Sequence, residues 1–194
     1  MTALQNALPL LLGLGLSAST GLNTFLPLLL LGGAARFNIA GITLGDKFGW
    51  LASDAAMISL IVACVVELIA DKIPAVDHFL DSAGTVVRPA AGALASASVL
   101  TGVDPMVAAV IGLIVGAPTS LGLHTLKAGT RVASSVSTFG CANPVISIIE
   151  DVIAFTLSIV AIFAPIFVPI ALVLLVWTLW RVMKRIRRGH APAA

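Results

Sequence analysis

Residues 145–180 read VISIIEDVIAFTLSIVAIFAPIFVPIALVLLVWTLW. As one helix at 1.5 Å per residue, the stretch from Ile149 to Trp180 would be about 48 Å long, well over the ~30 Å hydrocarbon core of a bilayer. Pro165 and Pro169 mark a break, so the run predicts two crossing helices, near residues 145–163 and 167–183. If the proline pair only kinks one tilted helix, the run is a single span.

The rest of the chain agrees with a lipid environment. Of its 194 residues, 59% are hydrophobic and 10% charged, too few charges to cover a soluble domain of this size. That excludes a separate soluble catalytic domain. The expected architecture is an all-α polytopic transmembrane bundle of about six spans, five if the prolines only kink. They fall near residues 7–31, 55–71, 83–103, 106–128, 145–163 and 167–183, in a single membrane domain covering 1–183. Residues 184–194 form a basic tail. Five of the 11 basic residues (Arg181, Lys184, Arg185, Arg187, Arg188) cluster in this C-terminal stretch from 181 onward, leaving six basic against nine acidic residues elsewhere. Such a cluster beside a span marks the cytoplasmic side, so a multi-pass protein of the cell (inner) membrane with its C-terminus inside is expected. Six spans would put the N-terminus on the same side. The basic residues follow a hydrophobic segment directly, which argues against a nucleic-acid partner. The N-terminal apolar run has no basic residues ahead of it and resumes through Leu31, the pattern of a retained span. Cys64 and Cys141 form no metal motif.

Within residues 7–31, Gly13, Ser17, Thr20, Gly21 and Thr24 recur at helical spacing and make a face that another helix can approach closely. Asn23 and Pro27 interrupt this span. Residues 32–54 read as a glycine-rich loop, and Asp77-His78-Phe79-Leu80-Asp81 as a re-entrant or interfacial piece. Residues 82–102 are rich in small side chains and belong inside the bundle. The run 106–117 carries Gly112 and Gly116 in a G-x-x-x-G arrangement and is expected to break at Pro118. Beyond it His124, Lys127 and Arg131 share one helical face with Ser120. Gly21-Leu22-Asn23-Thr24 resembles Gly122-Leu123-His124-Thr125, a weak pointer to an inverted repeat with two broken helices.

The residues that bear on function are ionisable groups inside or at the ends of apolar spans. A charge at the bilayer centre costs about 2.5–3.5 kcal/mol on insertion scales and normally faces a partner, a cavity or a water path. The candidate polar site comprises Asn23, Glu67, Asp71, Lys72, Asp77, Asp81, Arg88, His124, Lys127, Arg131, Glu150 and Asp151. Six of these are acids and four are bases. Glu67 and Asp71 share a helical face, and Glu150 shares one with Ser147, Ala154, Ser158 and Ala161. Carboxylates this close resist joint ionisation, so one carries a proton or a cation neutralises them. No ligand spacing identifies a metal. The competing reading is structural ion pairs, Glu67/Asp71 with Lys127/Arg131 and Glu150/Asp151 with Arg88, that fix helix register. No G-x-S-x-G, H-E-x-x-H or phosphate-cradling glycine loop is present, so no catalytic residue or cofactor is assigned.

Gly21-Leu22-Asn23-Thr24-Phe25-x-Pro27, Glu67-Leu68-Ile69-Ala70-Asp71-Lys72-Ile73-Pro74-x-x-Asp77, and Asn143-Pro144 followed by Glu150-Asp151 resemble the small multi-pass bacterial membrane proteins grouped as domain of unknown function 4126. The resemblance covers residues 7–180. It implies an integral membrane protein and names no substrate, because that family has no settled activity.

The function expected from these residues is a small transporter or channel-like protein that moves a cation, a proton or a small solute through an acid-rich site. Its partners would be membrane lipids and further copies of itself, or a larger membrane complex. The alternative is a non-transporting scaffold or accessory subunit, favoured by the small-residue faces. A lipid-processing membrane enzyme is a lesser one.

Overall fold

The computed structural model describes residues 3–138 and 141–188, apart from the side chains of residues 3–6, 74–75, 77–78, 133, 136–138, 183 and 185–188. Every regular element among them is helical: α1 (Ala3–Leu22), α2 (Leu26–Arg36), α3 (Asp54–Ala70), α4 (Pro74–Ser98), α5 (Pro105–Ile111), α6 (Ala117–Thr138), α7 (Asn143–Phe163) and α8 (Val168–Arg188). Three segments are long and apolar enough to cross a bilayer, Pro105–Val132, Asn143–Phe163 and Pro165–Val182. With the shorter apolar helices Ala7–Leu22 and Leu26–Arg36, they make this a helical membrane protein.

Polar punctuation sets the helix starts. Ser53 caps α3 by accepting from the Ala56 amide at 3.2 Å, and Asp104 caps α5 by accepting from Met106 and Val107 at 2.9 and 3.3 Å. Proline stands in the first turn of α2, α4, α5 and α7, where its missing N–H costs nothing.

Helix directions follow from which residues meet. The Ser17 hydroxyl donates to the Gly92 carbonyl at 2.7 Å, and Arg88 reaches Gly21 at the far end of α1, so α1 and α4 are antiparallel. Thr20 bonds Ser120 at 3.0 Å and Lys127 bonds Leu22 at 2.8 Å, so α1 and α6 are parallel. Residues 23–25 reverse the chain, and α2 doubles back until Leu28, Leu31 and Ala34 share a core with Leu12 and Leu16 of α1. The apolar run 7–31 is therefore a helical hairpin rather than one kinked span. Pro27 sits in the first turn of α2, after the break.

Four other expectations change. Residues 32–36 continue α2, so the connection to α3 starts at Phe37. It closes against α4 through the Gly45 amide and the Ser98 carbonyl at 2.8 Å, and beside α2 through the 2.6 Å Arg36–Asp54 ion pair. The piece 77–81 belongs to the first turns of α4. The helix from Pro105 does not break at Pro118: Gly112–Gly116 form a π-turn that leads directly into α6. A widened turn just ahead of a proline relieves the clash of its ring with the carbonyl four residues back. Finally, Gly122–Thr125 lies inside uninterrupted α6, so it is not a second broken helix matching Gly21–Thr24.

The proline-rich run does split the C-terminal stretch. A short 3-10 turn at Pro165–Phe167 separates α7 from α8. Val168 packs beside Gly15, while Leu175 and Leu179 reach the cluster of Leu22 and Leu123. Helices α1 and α8 thus run in the same direction. The described ends of the chain lie at opposite ends of the bundle, unlike the shared side that six spans would give. Near its C-terminal end α8 stacks Arg181 on Trp177 and Lys184 on Trp180, at 4.6 and 4.7 Å from the ring centres, a pairing suited to a membrane interface.

The small-residue faces are used within the chain. Gly92 and Gly116 bring the backbones of α4 and the π-turn together, and a Cβ on Gly116 would overlap the Gly92 carbonyl. Gly21 is pressed in the same way against Ser120 and Leu123.

Candidate functional site

The hairpin tip leaves two helix ends side by side in the apolar bundle. The last carbonyls of α1 and the first amides of α2 have no helical partners, and they carry opposite partial charges. Charged side chains from the neighbouring helices satisfy both.

Glu67, on the last turn of α3, caps α2 in trans. Its carboxylate accepts from the Thr24 amide at 2.9–3.0 Å, the Thr24 hydroxyl at 2.7 Å and the Phe25 amide at 3.2 Å. On the α1 side, Arg88 donates to the Gly21 and Leu22 carbonyls at 2.9 and 3.1 Å, and Lys127 donates to Leu22 at 2.8 Å. Anion at the amide end and cations at the carbonyl end are the arrangement that helix dipoles favour.

The charges continue as a connected set. Arg88 lies 3.4 Å from Glu67. Lys127 lies 3.3 Å from Asp71 and 3.4 Å from Glu150, and its side chain is fully buried. Arg131 lies 2.8 Å from Glu150, 3.5 Å from Asp71 and 3.7 Å from Asp81. Lys72 joins Asp151 and Ser147, each at 3.2 Å. Asn23 completes the tip: its amide donates to Asp151 at 3.0 Å and its oxygen accepts from the Leu26 amide at 3.0 Å. Replacing Asn23 by Ala removes both bonds and is expected to destabilise the fold by about 2 kcal/mol, read as a lower thermal midpoint in detergent; an unchanged midpoint would mean that the tip holds itself without this side chain.

The structure brings together Asn23, Glu67, Asp71, Lys72, Asp81, Arg88, Lys127, Arg131, Glu150 and Asp151. His124 stands at the edge of the set, its Nε2 3.1 Å from the Asp81 backbone carbonyl. The side chain of Asp77 lies outside the described residues. Both expected sets of pairs are corrected: Arg88 serves Glu67, not Glu150 or Asp151, because the antiparallel α1–α4 contact places it at the end of α1, while Glu150 takes Lys127 and Arg131 and Asp151 takes Lys72; only Asp71 pairs as expected, with Lys127 and Arg131. The described side chains comprise four cations (Lys72, Arg88, Lys127, Arg131) and five carboxylates (Glu67, Asp71, Asp81, Glu150, Asp151), a formal excess of one negative charge. Asp71 Oδ1 and Glu150 Oε1 are buried without a hydrogen-bond partner among the described residues.

Residue-type reasoning missed the backbone half of the site: the Gly21 and Leu22 carbonyls and the Thr24 and Phe25 amides. The signal for it was Asn23 four residues ahead of Pro27, a turn residue before a helix-starting proline. Beside the tip, between α3 and α4, a groove of about 540 Å³ has Thr24, Phe25 and Glu67 at its polar end and mostly apolar walls, including Ile58, Val62 and Val87. Among the described residues no group of three or more His, Cys, Asp or Glu is placed to hold a metal ion.

No curated protein matches this chain, and no solved structure does. The model of a domain of unknown function, DUF4126, matches residues 10–185. With nearly the whole helical bundle inside that match, the chain belongs to the DUF4126 family.

Proposed function

We propose that the protein is a small membrane transporter that moves a proton or a small cation through the polar centre at the α1–α2 break, with its basic tail facing the cytoplasm. The observation that carries this reading is the sharing of partners. Lys127 stands within 3.4 Å of Asp71, Glu150 and the Leu22 carbonyl, and Arg131 within 3.7 Å of Glu150, Asp71 and Asp81. A purely structural ion pair needs one partner per charge; here Lys127 and Arg131 each have more than one carboxylate within 3.7 Å. Protonation of Glu150 or Asp71, each with one oxygen unpartnered, would weaken one arm of the bridge and shift the cation toward the other. Such an exchange inside a discontinuous-helix site is the physical basis of coupled transport.

The accessory-subunit alternative drew on small-residue faces free to receive partner helices. Those faces pack against this chain's own backbone, so they no longer speak for that alternative. A bundle of this size also suits a homo-oligomer.

The test is flux in proteoliposomes under an imposed gradient, read in parallel with an internal pH-sensitive dye and with internal sodium- and potassium-sensitive dyes. Glu67→Gln and Glu150→Gln are each expected to reduce protein-dependent flux at least tenfold while the protein stays monodisperse and helical. Parent-like flux in both variants, or parent flux equal to that of empty liposomes, overturns the proposal.

A further inference from the structure

A second charged feature lies apart from the helix break, on the outer face of α8. Residues 152–194 hold five basic residues, Arg181, Lys184, Arg185, Arg187 and Arg188, and no acidic one, Asp151 being the last acid of the chain. Ahead of them α8 shows an apolar outer surface: Ile170, Val173, Leu174 and Val176 are exposed, and Trp177 and Trp180 are each 50% exposed. The change from apolar to basic falls between Trp180 and Arg181. A bilayer therefore fixes the depth of this segment, with the indole rings at the interface and the cations on its water side.

Trp177, Trp180, Arg181 and Lys184 share one face of the helix. Arg181 lies over the Trp177 ring, 4.6 Å from its centre, and Lys184 over the Trp180 ring at 4.7 Å. Each long side chain is pinned on one side by an aromatic face, and its remaining N–H groups point to the surroundings. The cations of the bundle differ from these two. Arg36, Lys72, Arg88, Lys127 and Arg131 each have a carboxylate partner. Among the described residues Arg181 and Lys184 have none; both are exposed and meet only the rings.

Cations held in place at headgroup depth call for an anion from outside the chain, and the bilayer supplies one in the lipid phosphate. A zwitterionic headgroup brings a cation of its own with that phosphate and leaves the local excess of positive charge unchanged. A headgroup with net negative charge lowers it. We propose that the face formed by Trp177, Trp180, Arg181 and Lys184 is a binding site for an anionic phospholipid. Arg181 and Lys184 hold the phosphate, and the glycerol and upper acyl chains lie on the indole rings. The site is independent of the transporter reading and of which side of the membrane the tail occupies.

Native mass spectrometry of the full chain in detergent counts bound lipid directly. Each Lys or Arg near an anionic surface strengthens binding about fivefold, so phosphatidylglycerol is expected to bind at least tenfold tighter than phosphatidylcholine with the same acyl chains. Arg181→Gln/Lys184→Gln is expected to abolish most of that preference. Trp177→Leu/Trp180→Leu keeps all five basic residues and is expected to weaken phosphatidylglycerol binding about fivefold or more, because the cations are no longer pinned. Arg36→Gln, at the other end of the bundle and paired with Asp54, is expected to keep the parent preference. Equal affinity of the parent for the two lipids overturns the site. So does parent affinity in the Trp177→Leu/Trp180→Leu variant, which would leave only diffuse charge attraction. Displacement of bound phosphatidylglycerol by millimolar inorganic phosphate would assign the cluster to free anions and overturn it as well.

Discussion

Lys127→Met is expected to lower the unfolding free energy by about 3–5 kcal/mol, the scale for removing one partner of a buried ion pair. The mechanism is not loss of attraction alone. The Lys127 ammonium is the neighbour shared by Asp71 and Glu150, and it also fills the Leu22 carbonyl at the end of α1. Methionine matches the volume of lysine and leaves two carboxylates close together with Arg131 as their remaining shared cation. The double substitution Lys127→Met/Glu150→Gln removes one of those carboxylate charges and is expected to recover part of the loss, so the two changes will be strongly non-additive. Unfolding in mixed micelles by SDS titration, followed through the fluorescence of Trp50, Trp177 and Trp180, measures both. A loss under about 1 kcal/mol in the single variant would place Lys127 among screened, exposed pairs and contradict its burial.

The second large effect is steric. In Gly92→Leu the new Cβ would lie 2.6 Å from Ser120 Cβ and 2.7 Å from the Gly116 carbonyl oxygen. Both sit on the long helix that carries Lys127 and Arg131, and backbone cannot rotate away as a side chain can. Helices α4 and α6 must separate, which pulls Arg88 and Lys127 from the end of α1. Overpacking of this kind costs about 1–3 kcal/mol in ordinary cores; a backbone obstacle puts this variant at or above the top of that range. Gly122→Leu is the control, because its Cβ meets nothing within 4 Å, and it is expected to change stability by less than about 0.5 kcal/mol. Size-exclusion profiles and SDS-titration midpoints compare the two, and similar behaviour in both would refute the close-approach argument.

Local pattern made much of this legible, and its limits are local too. The small-residue face was recognisable because side-chain size repeats at helical spacing; its Gly13, Ser17, Thr20 and Gly21 pack on α4 and α6, whereas Thr24 lies beyond the end of α1 and bonds Glu67 of α3. The charged residues stood out because each is anomalous in an apolar run. Their pairing was less accessible: Arg88 reaches Glu67 only because α4 runs antiparallel to α1, a fact that no single segment encodes. The hairpin at residues 23–25 escaped for a related reason. Apolar character is continuous from Ala7 to Leu31, and hydropathy is the same whether a helix continues or turns back. Pro118 misled in the opposite sense, since its rule assumes regular α geometry, whereas the π-turn before it supplies the needed slack.

The hairpin tip also says something about how far this protein could drift in sequence and keep its polar centre. Half of the groups that hold the charges there are peptide units: two carbonyls accept Arg88 and Lys127, and two amides hold Glu67. They come with any residues that end one helix and start the next at this point. Substitution of side chains at Gly21, Leu22 or Phe25 changes packing without removing those groups. An insertion or deletion of one residue between Leu22 and Leu26 would re-aim the amides that hold Glu67 relative to the Gly21 and Leu22 carbonyls. The site is therefore specified more by where the chain turns than by which amino acids stand at the turn, and residue identity alone is a poor guide to whether another chain possesses it.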